Sequence, residues 1–311
     1  MRTFSYTKTQ YLIEELDKIN FLRQELLLTP ISLKDKSILR WTALLDKIYY
    51  SINLSGIQIS QEEISRVLES HGQKFFTAKQ KEIIAFKRGL QWITQEWIAS
   101  TKPVIASSLT NLYRVAYNQS IPSQSEDLQT SLRYLQANPD HPIIQSALAQ
   151  ILILSNSFFE QKTVQMSFLA SQLFLYKYGY ELRRFLVLEE YYFQQKERYF
   201  GLVNQVARTT NATPWLEFVV EATTYQLNKL LRQIQRHEYE TEETKNLMEL
   251  NERQKQILTM LDQPQTRISN KMVQKAFKLS AITASRDLAK LTSLGFLFPI
   301  GKGRSTYYTK V

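Results

Sequence analysis

Apolar residues recur at helical spacing along most of this chain, and strict strand-like alternation is almost absent until its end. The spacing predicts helices over Thr9–Leu27, Lys36–Tyr50, Ser60–Ser70, Thr77–Trp97, Ser107–Ala116, Ser123–Ala137 and His141–Leu154. Local punctuation agrees: Ser60 with Glu63 three residues on reads as a capping box, and Pro122 and Pro142 suit first-turn positions. Val164–Tyr178 is an apolar helix stopped by Gly179, and Phe185–Val203 reads as one helix whose Tyr191, Tyr192, Phe193, Tyr199 and Phe200 belong to the core. Thr213-Pro214 opens a long helix toward Arg236 with Trp215, Phe218 and Val219 facing inward. The acidic stretch 237–250, with Glu238, Glu240, Glu242, Glu243 and Glu249, reads as a helical or partly mobile linker. The expected organisation is an all-α domain over 1–236, that linker, and a small α+β module over 251–311.

In the last sixty residues the pattern changes. Asn251 is expected to cap a helix burying Ile257, Leu258 and Leu261, and Ser269 a second with Met272, Val273, Ala276 and Leu279 inward. Ser280 caps a third, whose Ala281, Ala284, Leu288 and Leu291 form the buried side, with Thr283, Arg286 and Lys290 opposite. Beyond Gly295, two short strands, 296–300 and 305–309, flank a glycine-punctuated turn that bears Lys302 and Arg304. Three helices followed by a charged hairpin describe a winged helix, an arrangement that places a capped helix in the major groove and a hairpin tip against backbone phosphate.

Charge sharpens this reading. The chain has 311 residues and a net charge of +10. From Asn251 onward eleven Lys and Arg face three acids, so +8 of it lies in the small module. A concentrated basic patch on a folded module is the footprint of phosphate binding. Composition also excludes chemistry: with no cysteine there are no disulfides, thiolate metal sites or cysteine nucleophiles, and the three histidines, His71, His141 and His237, are too dispersed for a histidine-rich metal centre. Eight glycines, none between Gly89 and Gly179, leave no phosphate-cradling loop before Gly301. No metal or cofactor is expected. An apolar run long enough to span a bilayer is also lacking, and the first residues do not read as a secretory signal, so the expectation is a cytoplasmic protein that does not engage a membrane.

The stretch 279–308 resembles the recognition helix and wing of bacterial winged-helix regulators. That resemblance implies contact with double-stranded DNA by Thr283, Ser285 and Arg286. The full expected set is Ser280, Thr283, Ser285, Arg286, Lys290, Lys302 and Arg304. The competing readings make Arg286 a structural partner of Asp287 or of a neighbouring helix, and Lys302 and Arg304 solvated turn cations.

Stretches of the large domain resemble Fic-domain proteins, a family that transfers AMP from ATP to a hydroxyl of a target protein. Ser51–Leu68 resembles the family's inhibitory helix, with Ser55 at the position of its glutamate and Gly56 after it. Phe168–Val203 and Asn211–Ala222 resemble the helices after the family's signature, and His141–Leu154 the helix before it. Between them the family has His-Pro-Phe, any residue, Asp or Glu, then Gly-Asn-Gly-Arg; this chain has Ser157, Phe158, Phe159, Glu160, Gln161, Lys162, Thr163, Val164 and Gln165. The resemblance implies that Ser157 replaces the general base, Gln161 the metal ligand unless Glu160 serves one register away, and Gln165 the phosphate-binding arginine. Lys162, Thr163 and Val164 stand where the glycine-rich anion nest belongs, and β-branched residues resist positive φ. The reading is a catalytically inactive Fic-like domain joined to a DNA-binding module, a regulator expected to be a homodimer with an unidentified effector or protein partner. The alternatives are a divergent AMP-transferring enzyme with a DNA-binding autoregulatory domain, a partner-binding scaffold, and an unrelated helical bundle.

Overall fold

In the computed structural model the described residues are 3–69, 76–119, 126–137, 139–156, 158–248, 250–261, 267–294, 296–301 and 306–310, with the side chains of 161, 236–248 and 310 excepted. They form two compact units, Met1–Gln233 and Ile234–Val311. No helix among the described residues is long and apolar enough to cross a membrane.

The first unit is helical. In order it has α1 (Gln10–Leu28), α2 (Leu33–Leu54), α3 (Gln61–Glu69), α4 (Ala78–Glu96), α5 (Ala106–Tyr117), α6 (Glu126–Ala137), α7 (Pro142–Leu154), α8 (Thr163–Lys177), α9 (Leu188–Gln194) and α10 (Lys196–Thr209), and it takes in the start of α11 (Thr213–Met248). Side-chain caps set several starts. The Thr9 side chain accepts from the Leu12 amide, Ser32 from Asp35, and Thr77 forms a reciprocal box with Gln80. Ser32 brings the start of α2 forward to Leu33, three residues before the periodicity begins.

At the centre lie α7 and α8, both buried nearly all round: Ile143, Ile144, Ala147, Ile151 and Ile153 on one, and Met166, Leu169, Leu173 and Phe174 on the other, are at most 1% exposed. A helix apolar on every side must be the middle of the domain, because it leaves no face to offer water. Ser146 Oγ joins the pair across its interface, 3.1 Å from Ser171 O and 2.8 Å from Ser171 Oγ. The indole of Trp215 donates to Ala147 O at 2.9 Å, anchoring α11 to α7.

Two features depart from the periodicity. Phe185–Val203 is not one helix: α9 starts at Leu188, and Gln195 (φ −107°, ψ 36°) separates it from α10. Tyr192 and Tyr199 remain buried on either side of the break, 5.3 Å apart and both against Trp215 and Phe218. This shared aromatic cluster overrides the modest preference for an unbroken helix. Before it, Leu182, Arg183 and Arg184 have φ of 48°, 58° and 74°, three successive non-glycine residues in the left-handed region. Each costs roughly 1–2 kcal/mol, so the surroundings must hold the turn. Arg183 Nη1 donates to Thr29 O at 3.0 Å and Nη2 to Leu27 O at 2.5 Å, while Arg40 Nε donates to Arg183 O at 3.2 Å.

The second unit has α12 (Glu252–Thr259), β1 (Ile268–Ser269), α13 (Asn270–Phe277), α14 (Ala281–Ser293), β2 (Leu297–Ile300) and β3 (Tyr307–Lys310). Its antiparallel sheet runs β1-β3-β2, with Ile268 opposite Tyr308 and Ile300 opposite Tyr307. The fold is thus mainly helical, with a small α+β region at its C-terminal end. That region has a core of its own, built from Leu250, Ile257, Leu261, Ile268, Val273, Leu288, Leu291 and Leu297 among others.

Candidate nucleic-acid interface

Three side-chain caps build the helices of the small unit. Asn251 and Gln254 form a reciprocal box, Ser269 accepts from the Met272 amide, and Ser280 accepts from the Thr283 amide at 3.2 Å. Lys278 ends α13 in the left-handed conformation, and Leu279 N donates back to Gln274 O at 3.1 Å. Asn270 Nδ2 reaches Ala281 O at 3.2 Å, tying the first turns of α13 and α14 together.

The inward face of α13 differs from the expected one. Val273 is fully buried and Phe277, one turn on, packs on the core, whereas Met272 is 48% exposed and Ala276 is exposed. With its start fixed at Asn270 by the Ser269 cap, positions 273 and 277 form the i, i+4 stripe that meets α14, and 272 and 276 fall a quarter turn away. Ala281, expected on the buried side, is exposed as well, because the first residue of α14 overhangs the edge of the core.

The buried stripe of α14 consists of Ala284, Asp287, Leu288 and Leu291. Its outward side carries Ile282, Ser285, Arg286, Ala289 and Lys290, all exposed, with Thr283 half-buried on the flank. Ser280, also exposed, shares its hydroxyl with that of Thr283 at 2.9 Å as well as capping the helix. The structure therefore brings Ser280, Thr283, Ser285, Arg286 and Lys290 onto one helix surface. Lys302 and Arg304 lie outside the described residues, in the connection between the paired Ile300 and Tyr307.

Asp287 is the one acid of α14, and it points away from that surface. It is 4% exposed and accepts from Arg253 Nε at 2.6 Å, Arg253 Nη2 at 3.1 Å and Gln254 Nε2 at 2.8 Å. Burial pushes its carboxyl up, but the hydrogen bonds from Arg253 and Gln254 outweigh this and hold it below the ordinary aspartate value. Arg286 is thus not the partner of Asp287; α12 supplies it. Arg286 makes no ion pair among the described residues.

Sequence reasoning missed two exposed groups. Ile282 is 66% exposed near the middle of the outward side, one turn before Arg286. Arg267, which precedes β1, stacks its guanidinium 4.5 Å from the Tyr307 ring on β3. Helical-wheel geometry drawn from the Ser280 cap places Ile282 outside, but no local pattern reports Arg267, because its partner is forty residues away.

In the first unit, the stretch that resembles the Fic signature lies at the start of α8. The left-handed residue there is Glu160 (φ 47°), while Thr163 (φ −53°, ψ −46°) already has helical geometry, so Thr163 and Val164 form the first turn of α8. Lys162 Nζ pairs with Glu82 Oε1 at 2.6 Å and lies 5.5 Å from the Tyr117 ring centroid. Phe159 is buried against Tyr113, and these residues line a cavity of about 870 Å³ together with Lys81 and Arg88. Gln165 Nε2 donates to Ser55 Oγ at 3.0 Å, joining α8 to the residue after α2. Ser157 lies outside the described residues.

A solved structure of similar fold is the crystal structure of a Fic family protein from Desulfovibrio desulfuricans G20, with a TM-score of 0.60 over 99% of this chain and 98% of that one, at 14% identity. The fold is Fic-like. No family model matches the chain, and no curated protein does. At this identity the likeness extends to architecture and not to chemistry.

Proposed function

We propose that this chain is a cytoplasmic DNA-binding regulator of transcription. Its C-terminal unit acts as a winged helix on duplex DNA, with α14 in the major groove and the β2–β3 connection, which bears Lys302 and Arg304, beside the backbone. The reading is carried by the disposition of charge on α14. Its only carboxylate is turned into the core and neutralised by Arg253, while Arg286 and Lys290 stand on the outward side beside Ser285. A carboxylate on the outward side would repel phosphate; with that charge withdrawn, the helix presents cations and hydroxyls to a polyanion. The net charge of +8 from Asn251 onward supports the same partner.

The helical unit, on this reading, no longer transfers AMP and serves dimerisation or sensing. The Gln165–Ser55 hydrogen bond supports this. These residues stand where the resemblance puts a phosphate-binding arginine and an inhibitory glutamate, and in this chain two neutral side chains meet there. A two-fold dimer would set paired α14 helices on half-sites about one helical turn apart.

Titration of labelled duplex at several salt concentrations tests the function. The expected result is salt-dependent binding whose log–log slope falls by about one in Arg286→Ala. Affinity indifferent to salt and to that substitution would overturn it. The AMP-transferring alternative is tested separately, by incorporation of label from α-labelled ATP into protein. Incorporation that survives purification and is lost on substitution of Lys162 or Gln165 would replace the inactive-domain reading.

A further inference from the structure

Away from the start of α8, the first unit holds a cavity of about 590 Å³ between α2, α4 and the end of α8. Its volume is in the range of small-molecule sites. Arg40, Lys47 and Arg184 line it, and no carboxylate does. Trp41 and Tyr176 supply aromatic wall, and Gln91 an amide.

Lys47 is the least ordinary of these residues. It is 3% exposed, yet makes no hydrogen bond and no ion pair among the described residues; its Nζ lies 6.0 Å from the centroid of the Tyr176 ring. Glu189 acts on it through space: that carboxyl takes a hydrogen bond from Gln172 Nε2 at 3.1 Å, and burial pushes its pKa up while the Lys47 charge pulls it down. The Lys47 side chain is buried along its stem while its ammonium, without a bonded partner among the described residues, is open to the cavity it lines. Arg40 spends Nε on Arg183 O, and its terminal nitrogens make no bond among the described residues. Arg184 is held at the cavity by the left-handed turn of residues 182–184, a conformation that needs the Arg183 and Arg40 contacts to persist. Backbone strain kept in place by such contacts is found where a side chain must be aimed.

We propose that this cavity binds a small organic anion carrying a flat ring, a carboxylate or a phosphate ester, with Lys47, Arg40 and Arg184 on the anionic group and the ring against Trp41 and Tyr176. Such a ligand brings negative charge to a wall that carries three cations and no carboxylate, and its ring fills aromatic wall that a bare inorganic anion would leave wet. The site belongs to the helical unit alone and does not depend on the DNA-binding reading.

Isothermal titration of the full chain with phenyl phosphate, inorganic phosphate and benzyl alcohol tests it. Saturable binding of phenyl phosphate is expected, with the other two at least tenfold weaker. Lys47→Met keeps the side-chain length and removes the charge; Arg184→Asn removes the charge and suits the left-handed backbone better than arginine, so its thermal midpoint is expected to hold. Each is expected to weaken phenyl phosphate at least tenfold. Absence of saturable phenyl phosphate binding by the wild-type chain overturns the proposal. So does equal affinity for inorganic phosphate, or undiminished binding by Arg184→Asn at an unchanged midpoint.

Discussion

Removal of the Asp287 carboxylate is the most informative perturbation of the small unit. Asp287→Ala leaves the amide of Gln254, itself 4% exposed, without its acceptor, and a stranded buried donor costs about 1–3 kcal/mol. It also ends two charge-assisted hydrogen bonds from Arg253. The Arg253 side chain is 34% exposed, so water recovers much of that loss and the full penalty for an orphaned buried ion does not apply. The sum is roughly 2–4 kcal/mol. For a unit of fewer than eighty residues, whose total stability is roughly 4–10 kcal/mol, this is a large fraction and corresponds to a fall in the midpoint of roughly 10–25 °C. The pH dependence identifies the cause. The folded Asp287 pKa lies below its unfolded value of 3.8, so its contribution is complete above that value and is lost as pH falls through the folded pKa. Denaturant unfolding of wild type and Asp287→Ala at pH 7 and at pH 3 measures both effects. The expected outcome is a difference of about 2–4 kcal/mol at pH 7 that narrows at pH 3. A difference below about 0.5 kcal/mol at pH 7, or one that does not narrow in acid, refutes the reasoning.

Other consequences are equally concrete. Burial, with Lys8 and Arg23 against the opposing pull of Asp140, lowers His141 from 6.5 to about 4, so the helical unit is expected to lose stability as pH falls from 6.5 toward 4; His141→Asn retains a helix cap without the titration and should flatten that slope in unfolding curves. An added Cβ at Gly89 would lie 2.8 Å from Leu169 Cδ1 in the packed core, so Gly89→Val is expected to destabilise by about 1–3 kcal/mol in chemical denaturation, and unchanged stability would show that the core can yield there. If α14 occupies the major groove, exposed Ile282 is placed to meet thymine 5-methyl groups; replacing thymine by uracil in a bound site should weaken the wild-type chain and leave Ile282→Ala unaffected, as measured by anisotropy titration.

Much of this fold is legible in residue order because its determinants act over one or two helical turns. Asn251, Ser269 and Ser280 announce their helices, since a capping side chain reaches an amide only two or three residues away. The all-round apolar runs of α7 and α8 likewise announce a buried centre. The candidate surface on α14 is legible for the same reason: once the cap sets the start, 3.6-residue geometry assigns each later position to a face. The choice of partners at long range is not legible. Nothing local says that Asp287 takes Arg253 rather than Arg286, that Arg267 stacks on Tyr307, that Met272 yields the inner face of α13 to Phe277, or that α9 and α10 part at Gln195. The cavity around Lys47 shows this most clearly, since Arg184 joins Arg40 and Lys47 of α2 there from a distant part of the chain. Helical spacing and caps alone determine which segments are helices and where they begin. Which charges are neutralised, and which are left facing open space, is decided only when segments pack, because each contact there depends on side chains that local periodicity never compares.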